Sequence, residues 1–371
     1  MVVQLSIFSE IQLVGIADNF LLDGSFESVE IHGNGNVNDT FLLKYFDNDN
    51  LYRYTLQRIN HDVFKNPQGL MDNFSRVTKH LQNKFESSET TYCALSLVNT
   101  KDGQSFHIDR DGNYWRITKF IDGGRSFEVP KDLNQAYEAG RSFGEFQFQL
   151  RDLPGNPLVE TIPDFHNTKL RFDHFCKAVS ADSSKRLTEV GDLVDFAYSR
   201  ENLTNIIEAD RFPVRTVHND TKLNNVLLHK SSGKGMCVVD LDTVMPGCVL
   251  HDFGDLVRTA ACTSNEDEKD LTKVLFEPNT FEVITKGYLE TAGKMLQEIE
   301  INHLAISPLI ITYELGLRFL SDYLEGDAYF KIKYPEHNLD RTKAQFKLLT
   351  SMEEQIEKMK NIVCEISSSC V

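Results

Sequence analysis

The feature that most constrains this chain is a short polar segment followed by an apolar hairpin. Residues 217–225 have the sequence VHNDTKLNN, and the apolar run Met236–Val239 ends at Asp240. Val226–His229 has the apolar character of a strand, and the Ser- and Gly-rich segment Ser231–Gly235 predicts a turn between two strands. A hairpin of this kind returns Asp240 to the end of the polar segment.

Four side chains of this region match the requirements of phosphoryl transfer. The reaction needs a carboxylate to orient and deprotonate the attacking hydroxyl, a cation beside the moving phosphoryl group, and oxygen ligands for Mg²⁺. We predict that Asp220 is the base and that Lys222 is the cation. We predict that Asn225 and Asp240 hold the metal ion. His218 is expected to have a structural role, packed beneath the loop and bonded to the backbone.

The pattern resembles the protein-kinase catalytic loop H-R-D-x-x-x-x-N, with Asn219 at the Arg position. Nearly the whole chain is similar to the aminoglycoside phosphotransferase and choline kinase superfamily, and most of all to its N-acetylhexosamine 1-kinases. Besides the loop, the resemblance rests on five segments: Gly33–Thr40, Leu56–Asn60, Tyr114–Ile117, Arg318–Asp327 and Tyr329–Phe330. It implies an α+β, protein-kinase-like fold with a small β-rich lobe and a larger, mainly helical lobe.

The expected domain organisation has three parts. Residues 1–121 are predicted to form the nucleotide-binding lobe, with one helix at Pro67–Glu86. Residues 122–128 are predicted to be the hinge. Residues 129–371 are predicted to form the catalytic and substrate-binding lobe, which opens with the amphipathic helix Leu133–Leu150.

A second acidic motif contains the D-F-G sequence that protein kinases use to hold metal. Its first carboxylate, Asp252, lies thirty-two residues after Asp220 and follows only a short apolar run, whereas Asp240 directly ends a strand. We therefore reject it as the metal site. Asp252 and Asp255 are expected to cap a helix that begins near Leu256 and to brace the catalytic loop.

Three residues of the first lobe are predicted to bind nucleotide, with ATP and Mg²⁺ as cofactors. Gly33 and Gly35 lie between two strand-like runs, where glycines let backbone amides approach phosphate oxygens, although a plain turn also uses glycine. Arg58 occupies the position of the nucleotide-binding Lys of protein kinases. Asp72 is either its partner or part of a solvated helix face. The sequence has no G-x-x-x-x-G-K-[ST] motif, which disfavours a P-loop enzyme.

The resemblance also implies a sugar-binding site. Its predicted residues are Asn36, Arg318 and Tyr329. Arg318 could donate to an acetamido carbonyl or a hydroxyl, and Tyr329 could stack on the sugar or bond to it. The alternative is a surface Arg and a core Tyr. The polar loop Phe165–Thr168 has no assigned role.

The predicted activity is ATP-dependent phosphorylation of the anomeric hydroxyl of an N-acetylhexosamine, GlcNAc or GalNAc, to give the sugar 1-phosphate. One alternative is a kinase of another small hydroxyl substrate, such as an amino alcohol, choline or an aminoglycoside. Another is a pseudokinase that binds nucleotide without turnover. Asp220, Asn225 and Asp240 together argue against the pseudokinase. The preferred hexosamine, the anomer and the oligomeric state are left open.

Composition argues against several other classes. The formal net charge of −16 repels a phosphodiester backbone, so no nucleic-acid partner is expected. We expect no signal peptide and no membrane association, because no run approaches the ~18 apolar residues of a span. Seven cysteines without C-x-x-C spacing indicate reduced thiols and no zinc cluster. A cytoplasmic enzyme is therefore expected, and the resemblance implies that its partner is a small-molecule sugar substrate.

Overall fold

The computed structural model describes five stretches of the chain, namely residues 4–5, 8–33, 37–87, 90–207 and 211–369. The chain divides into two compact units. The first comprises Met1–Gly124 with Leu153–Ile162, and the second comprises Arg125–Asp152 with Pro163–Val371. Among the described residues, no helix has both the length and the apolar character that a membrane span requires.

The first unit is built on an antiparallel sheet. The strands of this unit are β1 (Gln4–Leu5), β2 (Phe8–Ser9), β3 (Ser25–Ile31), β4 (Asp39–Asp47), β5 (Asn50–Ile59), β6 (Leu97–Val98), β7 (His107–Ile108) and β8 (Tyr114–Lys119). Within the described part of the chain, strands β1 and β2 pair only with each other. The main sheet has the order β3-β4-β5-β8-β6, and β7 also pairs with β8. The β4–β5 hairpin places Asp39 opposite Arg58. This register brings the charged side chains of Asp39 and Arg58 together.

Two helices accompany this sheet, α1 (Glu10–Ala17) and α2 (Pro67–Glu86). The bounds of α2 are those predicted from the sequence. Proline stands at its first position, and the Asn66 side chain accepts the N–H of Gly69, so the helix begins with a standard cap. Its buried apolar side chains recur at helical spacing and include Leu70, Phe74, Val77 and Leu81.

The second unit is mainly helical. After β9 (Gly124–Arg125), at the junction of the units, its helices are α3 (Leu133–Leu150), α4 (Thr168–Ala181), α5 (Gly191–Tyr198), α6 (Val249–Ala260), α7 (Pro278–Ala292), α8 (Glu298–His303), α9 (Ser307–Glu325), α10 (His337–Glu353) and α11 (Ile356–Ser369). The predicted helix Leu133–Leu150 is confirmed as α3. Helix α9 is buried over most of its length and contacts α4, α6 and α10.

Close packing of α3 against α7 depends on small residues. A Cβ atom at Gly140 would lie 2.3 Å from the carbonyl oxygen of Ile284, and one at Gly144 would lie 2.7 Å from that of Tyr288. The same is true of Gly287, whose Cβ would lie 2.3 Å from the Tyr137 carbonyl oxygen. Larger residues at these positions would force the two helices apart.

Four short strands frame the polar segment that precedes the predicted hairpin, β10 (Arg215–Val217), β11 (Val226–His229), β12 (Gly235–Val238) and β13 (Met245–Gly247). The predicted hairpin is confirmed, because β11 and β12 pair antiparallel with Val226 opposite Val238. Strand β10 pairs antiparallel with β13. The polar segment thus begins at the end of β10 and finishes where β11 begins.

Candidate active site

The hairpin brings the two predicted metal ligands together. The N–H of Val239 donates to the carbonyl oxygen of Asn225 at 2.9 Å, which places Asp240 next to Asn225. The side-chain amide of Asn225 donates to the carbonyl oxygen of Asp220 at 2.8 Å, so the oxygen Oδ1 is the atom that Asn225 offers to a cation. Asp240 is exposed and has a left-handed backbone with φ of +60°. Carboxylate and amide oxygens are ligands that Mg²⁺ accepts, so these residues fit the predicted ion.

The predicted base and the predicted cation form an ion pair. The Lys222 ammonium lies 3.0 Å from Oδ1 of Asp220, whose side chain remains 25% exposed. Desolvation raises the pKa of the Asp220 carboxyl, but the charge and the hydrogen bond of Lys222 outweigh it, and the net pKa is lowered. The Asp220 carboxylate in turn raises the pKa of Lys222. Both groups are therefore charged at neutral pH.

The D-F-G motif braces the loop, as expected. The carboxylate of Asp252 accepts the N–H of His218 at 2.7 Å and that of Asn219 at 2.6 Å. It also accepts the amide of Gln147 at 2.6 Å. Burial raises the pKa of Asp252, and these donors oppose that shift. Since both carboxylate oxygens are engaged inside the protein, Asp252 serves the loop rather than a metal ion.

The prediction that Asp252 and Asp255 cap a helix beginning near Leu256 is wrong. The helix begins at Val249, not near Leu256, so Asp252 lies in its first turn and Asp255 further along it, and neither is its N-cap. Short apolar runs on both sides of the motif concealed the true start. Asp255 instead accepts a hydrogen bond from Nε of Arg258 at 2.9 Å, and the same carboxylate oxygen forms an ion pair with Nη2 of Arg258 at 2.8 Å.

Arg258 is a buried cation that pairs with two carboxylates. Its side chain is 2% exposed, and it also pairs with Glu266 at 2.9 Å. Burial lowers the pKa of Arg258, but the carboxylates of Asp255 and Glu266 reverse this, and the net pKa is raised. The sequence analysis did not identify Arg258 or Glu266, which reach the loop only through tertiary packing. Both act on the Asp220–Lys222 ion pair, since Arg258 contributes to the lowered pKa of Asp220 and Glu266 contributes to the raised pKa of Lys222.

His218 has the structural role predicted for it. Its Nε2 atom lies 2.9 Å from the Val239 carbonyl oxygen, and its ring meets the edges of Phe143 and Phe146 at centroid distances of 5.5 and 5.7 Å. The histidine is fully buried. It therefore links the catalytic loop to the end of β12 and to helix α3.

In the first unit, the guanidinium of Arg58 pairs with Asp39, at 2.8 Å from Nε, and donates to Asn113 at 3.3 Å. Asp72 is exposed and is not its partner, so the alternative of a solvated helix face applies. Gly33 has φ of +74°, a left-handed conformation that favours glycine. Gly35 and Asn36 lie outside the described residues. The nucleotide-binding role of Gly33 and Arg58 stays a prediction.

Arg318 and Tyr329 are close together in the second unit. The Arg318 guanidinium carbon lies 5.4, 6.0 and 5.5 Å from the ring centroids of Phe165, Tyr329 and Phe330. Arg318 is half-buried, and Tyr329 is 62% exposed. The arrangement differs from the alternative of a surface Arg and a core Tyr. Asp322 fixes the aromatic segment by accepting the N–H groups of Tyr329 and Phe330. We call Arg318 with its three aromatic neighbours the Arg318 cluster.

Two further charged residues adjoin this cluster. Arg171 donates to the carbonyl oxygens of Asp164 and Phe165, at 3.0 and 2.9 Å. Burial lowers the pKa of Arg171, and the positive charge of Arg318 lowers it further. Glu314, one turn before Arg318, accepts from the hydroxyl of Thr168 at 2.7 Å. Arg171 was not predicted from the sequence, and the neighbouring polar loop Phe165–Thr168 had no assigned role.

Comparison with known proteins places this geometry in a family. A model of the phosphotransferase enzyme family matches residues 28–274, more than half of the chain. The chain belongs to this phosphotransferase family. Membership confirms the predicted superfamily, and it supports a small-molecule phosphotransferase that uses ATP, with Mg²⁺, as cofactor.

Solved structures of similar fold agree with the assignment to the phosphotransferase family. An aminoglycoside phosphotransferase from Alicyclobacillus acidocaldarius has 14% identity and a TM-score of 0.57, over 93% of this chain and 96% of that one. A microcompartment-associated aminopropanol kinase has 14% identity and a TM-score of 0.56, over 95% and 99%. A choline kinase from Cryptosporidium parvum Iowa II has 15% identity and a TM-score of 0.54, over 94% and 96%. These likenesses confirm the predicted α+β, kinase-like fold.

Proposed function

We propose that this phosphotransferase transfers the γ-phosphoryl group of ATP to the anomeric hydroxyl of an N-acetylhexosamine. The observation that carries the proposal is the Arg318 cluster, a half-buried guanidinium among three aromatic rings. A guanidinium only donates hydrogen bonds, so it suits the carbonyl oxygen of an acetamido group. Aromatic rings suit the apolar face of a sugar ring. The exposed Tyr329 ring is accessible to such a ligand.

The charge of the cluster favours a neutral acceptor over a cationic one. Arg171 and Arg318 are close enough for the charge of one to lower the pKa of the other. Glu314, the carboxylate on the same face of α9, is fully buried and engaged by Thr168 and His166. A choline or aminoglycoside cation at this cluster would face two guanidinium groups. An uncharged acetamido sugar avoids that repulsion.

A second candidate is a kinase of a small amino alcohol. Two of the structural relatives are described as an aminopropanol kinase and a choline kinase. The net charge of −16 would attract a cationic acceptor to the protein as a whole. The positive charge at the Arg318 cluster opposes this candidate. A panel of neutral and cationic acceptors therefore distinguishes the sugar kinase from the amino-alcohol kinase.

In the proposed mechanism, Asp220 orients the acceptor hydroxyl and takes its proton. Its lowered pKa keeps it ionised, ready to accept hydrogen bonds at neutral pH. Lys222 lies beside it and offsets negative charge on the transferring group. Asn225 and Asp240 would hold Mg²⁺, which neutralises charge on the nucleotide phosphates. Asp252 and His218 keep the loop in place during the transfer.

The decisive experiment measures ADP release across N-acetylhexosamines, unmodified hexoses, ethanolamine, choline and aminoglycosides. We expect the highest kcat/KM with a free N-acetylhexosamine. The matched control substrate is the methyl glycoside of the same sugar, which lacks the anomeric hydroxyl and should be inert. The matched control enzyme is Asp220→Asn, which should lose about 10²–10⁴-fold in kcat. Preference for choline or an aminoglycoside, or turnover of the methyl glycoside, would reject the sugar 1-kinase.

A further inference from the structure

His166 is held between two groups that can only accept hydrogen bonds. Its Nδ1 atom lies 2.9 Å from a carboxylate oxygen of Glu314, and its Nε2 atom lies 2.9 Å from the backbone carbonyl oxygen of Asn219. Neither partner carries a hydrogen to donate, so both contacts are satisfied only when both ring nitrogens are protonated. The side chains of His166 and Glu314 are 5% and 0% exposed. A buried carboxylate requires such a cationic partner.

The acceptor on the loop side belongs to the residue immediately before the predicted base. Asn219 has φ of +64°, a left-handed conformation that is uncommon for residues other than glycine. The backbone N–H of Asn219 donates to Asp252 at 2.6 Å, and the side-chain amide of Asn219 donates to the carbonyl oxygen of Thr243 at 3.0 Å. His166 holds its carbonyl oxygen, which lies in the peptide plane that leads into Asp220. His218 holds the other side of the same peptide, since its Nδ1 accepts the N–H of Asp220 at 3.3 Å, so His166 and His218 orient this plane together.

The other end of this chain of contacts lies on the helix that carries Arg318. Glu314 and Arg318 are four residues apart on α9, so they share one face. Phe165, the neighbour of His166, packs against the Arg318 guanidinium at 5.4 Å. Glu314 and His166 thus support the loop, while Arg318 and Phe165, which lie next to them, belong to the Arg318 cluster.

We propose that His166 is a positioning residue for phosphoryl transfer, which fixes the Asn219–Asp220 peptide and ties it, through Glu314, to the helix that carries Arg318. Its link to the acceptor rests on the function proposed above. The role needs no contact between His166 and substrate. A loop released from this support would place Asp220 less accurately, and small errors in the position of a catalytic group are costly for the rate.

The test compares three variants with the wild type, using the acceptor that gives the highest turnover. His166→Met keeps the side-chain volume but removes both donors, so kcat should fall on the order of 10- to 100-fold, with the KM for ATP nearly unchanged. His166→Gln can still donate to the Asn219 carbonyl oxygen and should recover most of kcat. The control is Tyr313→Phe on α9, the helix of Glu314, which removes a buried hydrogen bond from the Tyr313 hydroxyl to the Ala197 carbonyl oxygen of α5. It should keep wild-type kcat.

Hydrogen exchange of the backbone amides in residues 218–225 gives a second readout. Exchange should be faster in His166→Met than in Tyr313→Phe, even if both variants melt at the same temperature. The proposal is overturned if His166→Met keeps wild-type kcat and loop protection, or if His166→Gln is no better than His166→Met. A wild-type enzyme that phosphorylates choline instead of a sugar would reject the sugar substrate alone, since the same comparison with choline still tests His166.

Discussion

The carboxylate of Asp252 accepts the backbone N–H of Asn219 at 2.6 Å. It also accepts the N–H of His218 and the Gln147 amide, and the residue is 1% exposed. A carboxylate with both oxygens engaged in the interior supports the backbone and is not available to a metal ion. Two acidic motifs that look alike in sequence thus have different environments, because Asp240 is exposed.

We expect Asp252→Ala to act on stability and on the loop. Removing this carboxylate leaves buried N–H groups of His218 and Asn219 unsatisfied, at about 1–3 kcal/mol for each group. The free energy of unfolding should therefore fall by roughly 2–6 kcal/mol, measured by urea denaturation. Folded protein should still bind nucleotide in a Mg²⁺-dependent manner. Loss of metal dependence in a stably folded Asp252→Ala would contradict the scaffold role.

Asp240→Ala should have the opposite pattern. The side chain is exposed, but Ala tolerates the left-handed backbone of this position less well than Asp, so the free energy of unfolding should fall by about 1 kcal/mol. Nucleotide binding should lose its dependence on Mg²⁺, because a carboxylate is the stronger of the two proposed ligands. Calorimetric titration of ATP with and without Mg²⁺ measures this. Exposed Asp72→Ala is the matched control and should bind as the wild type does.

Sequence reasoning succeeded where the site is local. The loop and its hairpin lie between Val217 and Asp240, and a turn with two strands is enough to bring Asn225 and Asp240 together. The partner of Arg58 could also have been found, because a tight turn at the β4–β5 hairpin fixes the register that places Asp39 opposite it.

The remaining contacts depend on tertiary packing. His166 and Glu314 are 148 residues apart, and their pairing requires knowledge of how α9 packs against the segment before α4. Neither residue has an unusual neighbour in the sequence that marks it as part of the site. The start of α6 was missed for a related reason, since a buried helix has no polar face to reveal its period.

Arg318→Ala tests the acceptor cluster. The loss of one charge-assisted hydrogen bond should cost about 1.5–3 kcal/mol, which corresponds to roughly a 10- to 150-fold increase in the KM for the sugar. The KM for ATP should stay near the wild-type value. The matched control is Arg151→Ala, whose guanidinium also lies over an aromatic ring, that of Phe148, but is exposed. Equal defects for both substrates would indicate misfolding, and unchanged sugar kinetics would remove Arg318 from the site.

His251 should make stability depend on pH. Burial, together with the positive charge of His166, lowers the pKa of His251 to about 3, whereas an unfolded histidine titrates near ~6.5. Between these values the unfolded chain binds the proton and the folded chain does not, so this residue makes stability fall as the pH drops from about 6.5 toward 3. Its contribution to the slope is at most about 1.4 kcal/mol per pH unit. His251→Gln should flatten the dependence of unfolding free energy on pH between about 4 and 6. The exposed His229→Gln should leave that slope unchanged, and an equally steep slope in both variants would show that His251 is protonated in the folded protein.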